Sequence, residues 1–237
     1  MTGMTEFRPG RFELIPVIIK NLIIINVLVF FAQITFENNA TFDIENFFAL
    51  HEVRSVFFKP HQLITHMFLH GGWSHLFFNM FALWMFGSIL ENVWGPKRFL
   101  TFYVLCGLGA ALLHLVTLYI ELTPVVESFR MYDIAAQESI RFDPRFKLNV
   151  ETVGASGAVF GCLAAFGYLF PNSLIYLYFF FPMKAKWFVI IYGAMELWLA
   201  FRNSAGDNVA HWAHLGGAVV GFLLVFTWNK TKRRNFY

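Results

Sequence analysis

Ser156, His214, His75 and Asn79 are polar side chains set in stretches that are otherwise almost wholly apolar. A serine hydroxyl becomes a useful nucleophile only when a neighbouring base takes its proton, and histidine is the usual base. Ser156, in Gly154-Ala155-Ser156-Gly157, and His214, in Ala213-His214-Leu215-Gly216-Gly217, supply those two types. His75 and Asn79 are four apart, hence on one helical face, and offer donors for an oxyanion. A well-placed donor of that kind lowers a barrier by about 2.7–4 kcal/mol. The chemistry these residues allow is acyl transfer, with the backbone N–H of Ser156 near a helix start as a further donor. Asp207 lies seven residues from His214 and at the surface, so the sequence reads as a Ser–His dyad with no orienting acid. Phe160, four residues past Ser156, falls on the same face and is placed to stack on the imidazole.

These groups need a scaffold, and composition says which. The 237 residues are 57% hydrophobic and 14% charged, with 31 Phe and 7 Trp, whereas soluble domains carry roughly a quarter charged residues. The chain reads as an all-α membrane protein, with length for about six spans and none for a separate soluble catalytic domain. The apolar segments are Leu14–Phe36, His75–Trp94, Phe99–Ile120, Val153–Phe170, Trp187–Phe201 and Val209–Trp228, the fifth being short and interrupted by Glu196. The expected division is a tail over 1–13, a six-span domain over 14–228 and a basic tail over 229–237. The start of the chain lacks a small-x-small cleavage site and reads as a retained span. Cys106 and Cys162 sit inside apolar segments and form no disulfide framework.

Charge orients the bundle. With the N-terminus inside, inner segments hold eleven of the eighteen cations, and the outer loops hold seven cations against eleven acids. The expected topology is therefore N-in/C-in. Spans two, four and six then all run inward, and His75, Asn79, Ser156 and His214 fall roughly 5–10 Å below the outer surface, at one level. Ionisable groups at membrane depth are functional candidates by default. Asn26, Ser88, His114 and Glu196 read as helix-to-helix hydrogen-bonding residues, and Glu91 as a partner for Lys97, Arg98 or a helix end. Gly157, Gly161 and Gly167 on span four and Gly217 and Gly221 on span six suit close helix approach, which would bring Ser156 to His214.

Three separated motifs resemble the rhomboid family of intramembrane serine proteases. His70-x4-His75-x3-Asn79 is similar to the family's second-helix motif, Gly154-Ala155-Ser156-Gly157 to its nucleophile motif, and Ala213-His214-x-x-Gly217-x-x-x-Gly221 to its sixth-helix motif. The resemblance implies a six-transmembrane-helix bundle, with Ser156 and His214 catalytic, His75 and Asn79 at the oxyanion, and His70 structural. It implies cleavage of transmembrane protein substrates near the outer face of a lipid bilayer, with Phe78 as a gate residue between spans two and five and no cofactor. The offsets to Gly217 and Gly221 select His214 over His211, which reads as structural or interfacial. One departure is Lys59-Pro60-His61-Gln62, where many members carry a Trp-Arg pair that anchors the first outer loop.

Other readings compete. His66, His70, His75, His211 and His214 have spacings that suit zinc, but there is no His-Glu-x-x-His and no acid is expected to join the cluster, so no metal is expected. A catalytically inactive rhomboid-like factor for membrane-protein binding or quality control is the alternative function, opposed by the full set of motif residues. No nucleic-acid partner is expected. The charge pattern points to a bacterial inner membrane; the oligomeric state and the role of the loop over 121–152 are not readable.

Overall fold

A computed structural model describes residues 12–37, 42–177, 180–202 and 209–233. Most of the two expected tails and Asp207 lie outside the described residues. Among the described residues, four helices are long and apolar enough to cross a membrane: α1 (Val17–Phe36), α2 (Trp73–Trp94), α3 (Pro96–Glu121) and the first 20 residues of the last helix. The loop after α3 forms two short amphipathic helices, α4 (Thr123–Arg130) and α5 (Ile134–Arg141). Then come α6 (Ser156–Leu169), α7 (Ala185–Arg202) and α8 (His211–Arg233). The other two expected spans are thus α6 and α7.

The 14 residues of α6 reach only about 21 Å, short of a ~30 Å hydrocarbon core. It is also the helix buried nearly all round, with ten of its residues enclosed. A helix that faces protein rather than lipid has no need to match the bilayer. Its packing explains its composition. A methyl group on Gly217 would overlap the carbonyl oxygen of Gly157, and one on Gly221 would sit 2.6 Å from that of Gly161. The backbones of α6 and α8 therefore touch, as the glycine spacing predicts. Gly161 meets Cys106 of α3 in the same way, and both cysteines are free and buried.

Further polar residues are used as struts. Glu91, near the C-terminal end of α2, accepts hydrogen bonds from the N–H groups of Ile18 and Ile19, each at 2.9 Å. It caps α1, satisfying donors that a helix start leaves open; of its expected partners, the helix end is the one observed. α2 contains a π turn over Leu83–Gly87, packed against Ile19 and Phe99. His114 bonds Thr152 Oγ1 at 2.9 Å, whereas Asn26 donates within its own helix to Leu22 O.

The first outer loop is anchored without a Trp-Arg pair. Gln62 is fully buried; its Oε1 accepts from the N–H groups of Lys59 and His51, and its Nε2 donates to the carbonyls of Phe57, Asn46 and Phe47. Arg54 donates to Glu52, Thr123 and Tyr119 O, tying this loop to the next, and Leu50 pairs with Thr152 as a single bridge. On the opposite side a β-hairpin, β1 (Leu174–Leu177) with β2 (Phe181–Lys184), joins α6 to α7.

Candidate active site

Ser156 is the first residue of α6, so its N–H and those after it lack intrahelical partners. The Ser156 hydroxyl lies 2.8 Å from His214 Nε2. Phe160 stacks on the His214 ring, with centroids 4.2 Å apart and planes within 8°, and Tyr192 of α7 continues the stack at 5.2 Å. The imidazole is held between an aromatic face and the α8 backbone, as expected from the i, i+4 spacing.

The acid-free dyad does not hold in the structure. Glu196 Oε2 lies 2.9 Å from His214 Nδ1 and 2.7 Å from His211 Nδ1, with all three residues buried. The carboxylate belongs to α7, eighteen positions from His214, so a search along the α8 segment could not meet it. A signal was available: Glu196 is six residues from the C-terminal end of α7, about 9 Å along the helix axis, which in the expected topology is the level of Ser156 and His214. His211 is correspondingly an internal residue rather than an interfacial one.

An acid therefore does join a histidine pair, and three potential ligand atoms lie within 4.8 Å of one another. The spacing fits hydrogen bonds better than a metal. Tetrahedral zinc at 2.0–2.2 Å from each ligand holds neighbouring ligand atoms roughly 3.3 Å apart, whereas Glu196 Oε2 sits at 2.7 and 2.9 Å from the two nitrogens.

Hydrogen bonding also fixes the tautomers. With Glu196 accepting at Nδ1, His214 carries its proton there and presents an unprotonated Nε2 to Ser156. His75 is set the other way. The Gly71 N–H donates to His75 Nδ1 at 3.2 Å, which leaves the proton on Nε2. That nitrogen faces Gly154: a Cβ on Gly154 would lie 2.9 Å from His75 Nε2 and 3.5 Å from Ser156 Oγ. One histidine accepts from the serine while the other points a donor into the space beside it. Asn79 Nδ2 donates to His75 O at 2.9 Å, which leaves its second hydrogen for the cavity.

His75, Phe78, Asn79, Ser156, Phe160 and His214 line one cavity of about 600 Å³, closed on the α7 side by Phe188 and Tyr192. Every proposed catalytic and oxyanion residue meets there. Phe78 lines it from α2 with two thirds of its surface exposed. His70 is buried beside it with its ring 5.1 Å from that of His75, and its backbone exchanges hydrogen bonds with Gln33 of α1.

The comparison with known proteins gives the frame for this geometry. The profile of the Rhomboid domain matches residues 58–230. Rhomboid protein 1, mitochondrial, of Saccharomyces cerevisiae is 32% identical over 171 residues, covering 68% of this chain and 40% of that protein. The putative rhomboid protease YdcA of Bacillus subtilis is 29% identical over 177 residues, 74% of this chain and 70% of that one. Rhomboid protease AarA of Providencia stuartii is 27% identical over 219 residues, 86% and 69%. The chain thus spans well under half of the yeast relative and more than two thirds of the two bacterial ones. Matched over most of its length and built of apolar helices, it is an integral membrane protein that belongs to the rhomboid family.

Proposed function

We propose that this chain is an intramembrane serine endopeptidase that cleaves transmembrane protein substrates near the outer membrane face. The observation that carries the reading is the 2.8 Å contact between the Ser156 hydroxyl and His214 Nε2 at the wall of an open cavity. His214 takes the hydroxyl proton as Ser156 attacks the scissile carbonyl, and the protonated imidazole then passes it to the leaving amine. The tetrahedral oxyanion is met by the Ser156 N–H, the His75 Nε2–H and the Asn79 amide. Water then repeats the sequence on the acyl-enzyme. Gly154, Gly157, Gly217 and Gly221 keep the α6 and α8 backbones close enough for the first step.

In this reading all six segments cross, N-in/C-in, with the domain over 14–228 and short tails on either side. The excess of cations on inner segments supports that topology and a bacterial inner membrane. The short α6 supports a sunken site: its N-terminus starts below the outer surface, and the cavity above it admits water and an unwound substrate segment. Phe78 on α2, facing Phe188 and Tyr192 on α7 across that cavity, is the proposed substrate gate.

Purified protein in detergent, incubated with a model transmembrane substrate, tests this. Cleavage should occur with wild type and vanish with Ser156→Ala and with His214→Ala. An identical product pattern from wild type and Ser156→Ala would end the proposal.

A further inference from the structure

Resting on that reading, we infer that Glu196 is a positioning residue for catalysis, a carboxylate on α7 that orients His214 and is itself held by His211. To accept the Ser156 proton at Nε2, His214 must carry its own proton at Nδ1 and hold its plane toward Oγ. Stacking on Phe160 fixes the plane but is indifferent to a flip of the ring or to a change of tautomer. Glu196 Oε2, 2.9 Å from Nδ1, removes both freedoms, because a carboxylate oxygen accepts and does not donate.

The carboxylate is in turn constrained. His211 Nδ1 donates to the same Oε2 at 2.7 Å from one turn earlier on α8. Two N–H groups converging on one oxygen fix the Glu196 rotamer more tightly than one would, and both belong to the helix that carries the base. The arrangement also supplies charge where charge develops. When His214 is protonated during attack, a carboxylate in contact with it on its buried side stabilises the imidazolium. Buried ionisable groups at membrane depth are costly, and Glu196 is 4% exposed. A bland helix-to-helix link between α7 and α8 would need no charge at all.

Charge and linkage make opposite predictions for two conservative variants. Glu196→Gln keeps length and hydrogen-bonding capacity but loses the charge, and its amide group can donate to Nδ1 and force the wrong tautomer. Glu196→Asp keeps the charge on a shorter stem. We expect kcat to fall about 10²–10⁴-fold in Glu196→Gln, with KM within about threefold of wild type. Labelling of Ser156 by a fluorophosphonate should slow in parallel, and Glu196→Asp should recover at least tenfold over Glu196→Gln. A structural link gives the reverse order, with Glu196→Gln near wild type and Glu196→Asp worse. His211→Ala should lower kcat by about 3–30-fold without moving KM.

The thermal unfolding midpoint of each variant separates loss of chemistry from loss of fold. If Glu196→Gln cannot be recovered folded, His211→Ala carries the test: an unchanged kcat overturns the inference, and a selective fall in kcat supports it. Glu196→Gln retaining more than a third of wild-type kcat, while Ser156→Ala and His214→Ala are inactive, would overturn this inference and leave the protease reading standing. Activity surviving in Ser156→Ala or His214→Ala, or a wild type without activity, would remove both.

Discussion

Gly154 sits between His75 and Ser156 in the proposed oxyanion site, and Gly154→Ala tests whether that space is where the reaction's charge develops. The backbone at Gly154 has φ +132°, a region that side chains rarely adopt, so alanine alone costs on the order of 1–3 kcal/mol of stability. Its Cβ would stand 2.8 Å from His75 Cε1 and 2.9 Å from Nε2, against a comfortable separation of about 3.5–4.0 Å. The His75 ring must therefore retreat by roughly 0.5–1 Å, and the new methyl group takes the gap between ring and nucleophile. Loss of one oxyanion donor costs about 2.7–4 kcal/mol of barrier, or 10²–10³ in kcat. The assay is kcat on a transmembrane model substrate in detergent, with thermal unfolding measured alongside. His75→Ala should lose a similar factor. The double variant should be no worse than either single one, because both remove the same donor and the ring that alanine would strike is gone. Multiplicative losses in the double variant, or a folded Gly154→Ala within threefold of wild-type kcat, would refute the placement of the oxyanion between Gly154 and His75.

Three further outcomes follow from the packing and the buried polar groups. Gln62→Leu removes a hydrogen bond from five backbone groups of the loop before α2, of which Phe47 O keeps its bond to His61 Nε2, and should destabilise the protein by several kcal/mol, at about 1–3 kcal/mol for each group left unpaired; an unfolding midpoint unchanged in that variant would mean the loop is held elsewhere. Gly217→Ala drives a methyl group into the Gly157 carbonyl and should lose both stability and nearly all activity, whereas Gly193→Ala on α7, with nothing within 4 Å of the added atom, should keep wild-type kcat. Equal effects of the two substitutions would contradict a backbone contact between α6 and α8. In the first outer loop, burial pushes His66 down to about 4, and burial together with the neighbouring His75 ring does the same for His70. The unfolded chain takes up protons at these histidines first, so their contribution to stability is present above about pH 6.5 and is lost as pH falls toward 4. Between pH 7 and 5 each should cost about 2 kcal/mol, and His66→Gln should show a smaller acid-induced drop in unfolding midpoint than wild type; an identical drop would contradict the assignment.

Much of the site was legible because it is built from short spacings inside single helices. The offsets from His75 to Asn79, from Ser156 to Phe160 and from His214 to Gly217 each fix which side chains share a face. The expected topology, read from the charge of the loops, runs three helices in one direction and so places those faces at one depth. Glu196 escaped for the complementary reason. Its helix runs the other way, and its distance from the end of α7 has to be counted backwards from Arg202 before its depth matches that of His214. The anchoring of the first outer loop was also invisible: Gln62 holds five backbone groups contributed by residues 46 to 59, a set no periodicity announces. Helix α6 was readable as an apolar segment but not as a short one, because burial by α3 and α8 rather than bilayer thickness decides its length.

The two histidines at Ser156 show what backbone geometry adds to residue type. Both are imidazoles facing one cavity, and either could in principle accept a proton or donate one. Gly71 breaks that symmetry at His75 by donating an N–H to Nδ1, and Glu196 breaks it in the opposite sense at His214 by accepting from Nδ1. Exchange of those two second partners would leave the same four side chains around the same cavity, with a donor where the base must be and a lone pair aimed at the oxyanion. The proposed chemistry thus depends on groups that the serine never touches, one in the turn before α2 and one on α7. Loss of the Glu196 carboxylate, or of the Gly71 N–H itself, is accordingly expected to act on kcat while leaving the hydroxyl, the imidazoles and the cavity in place.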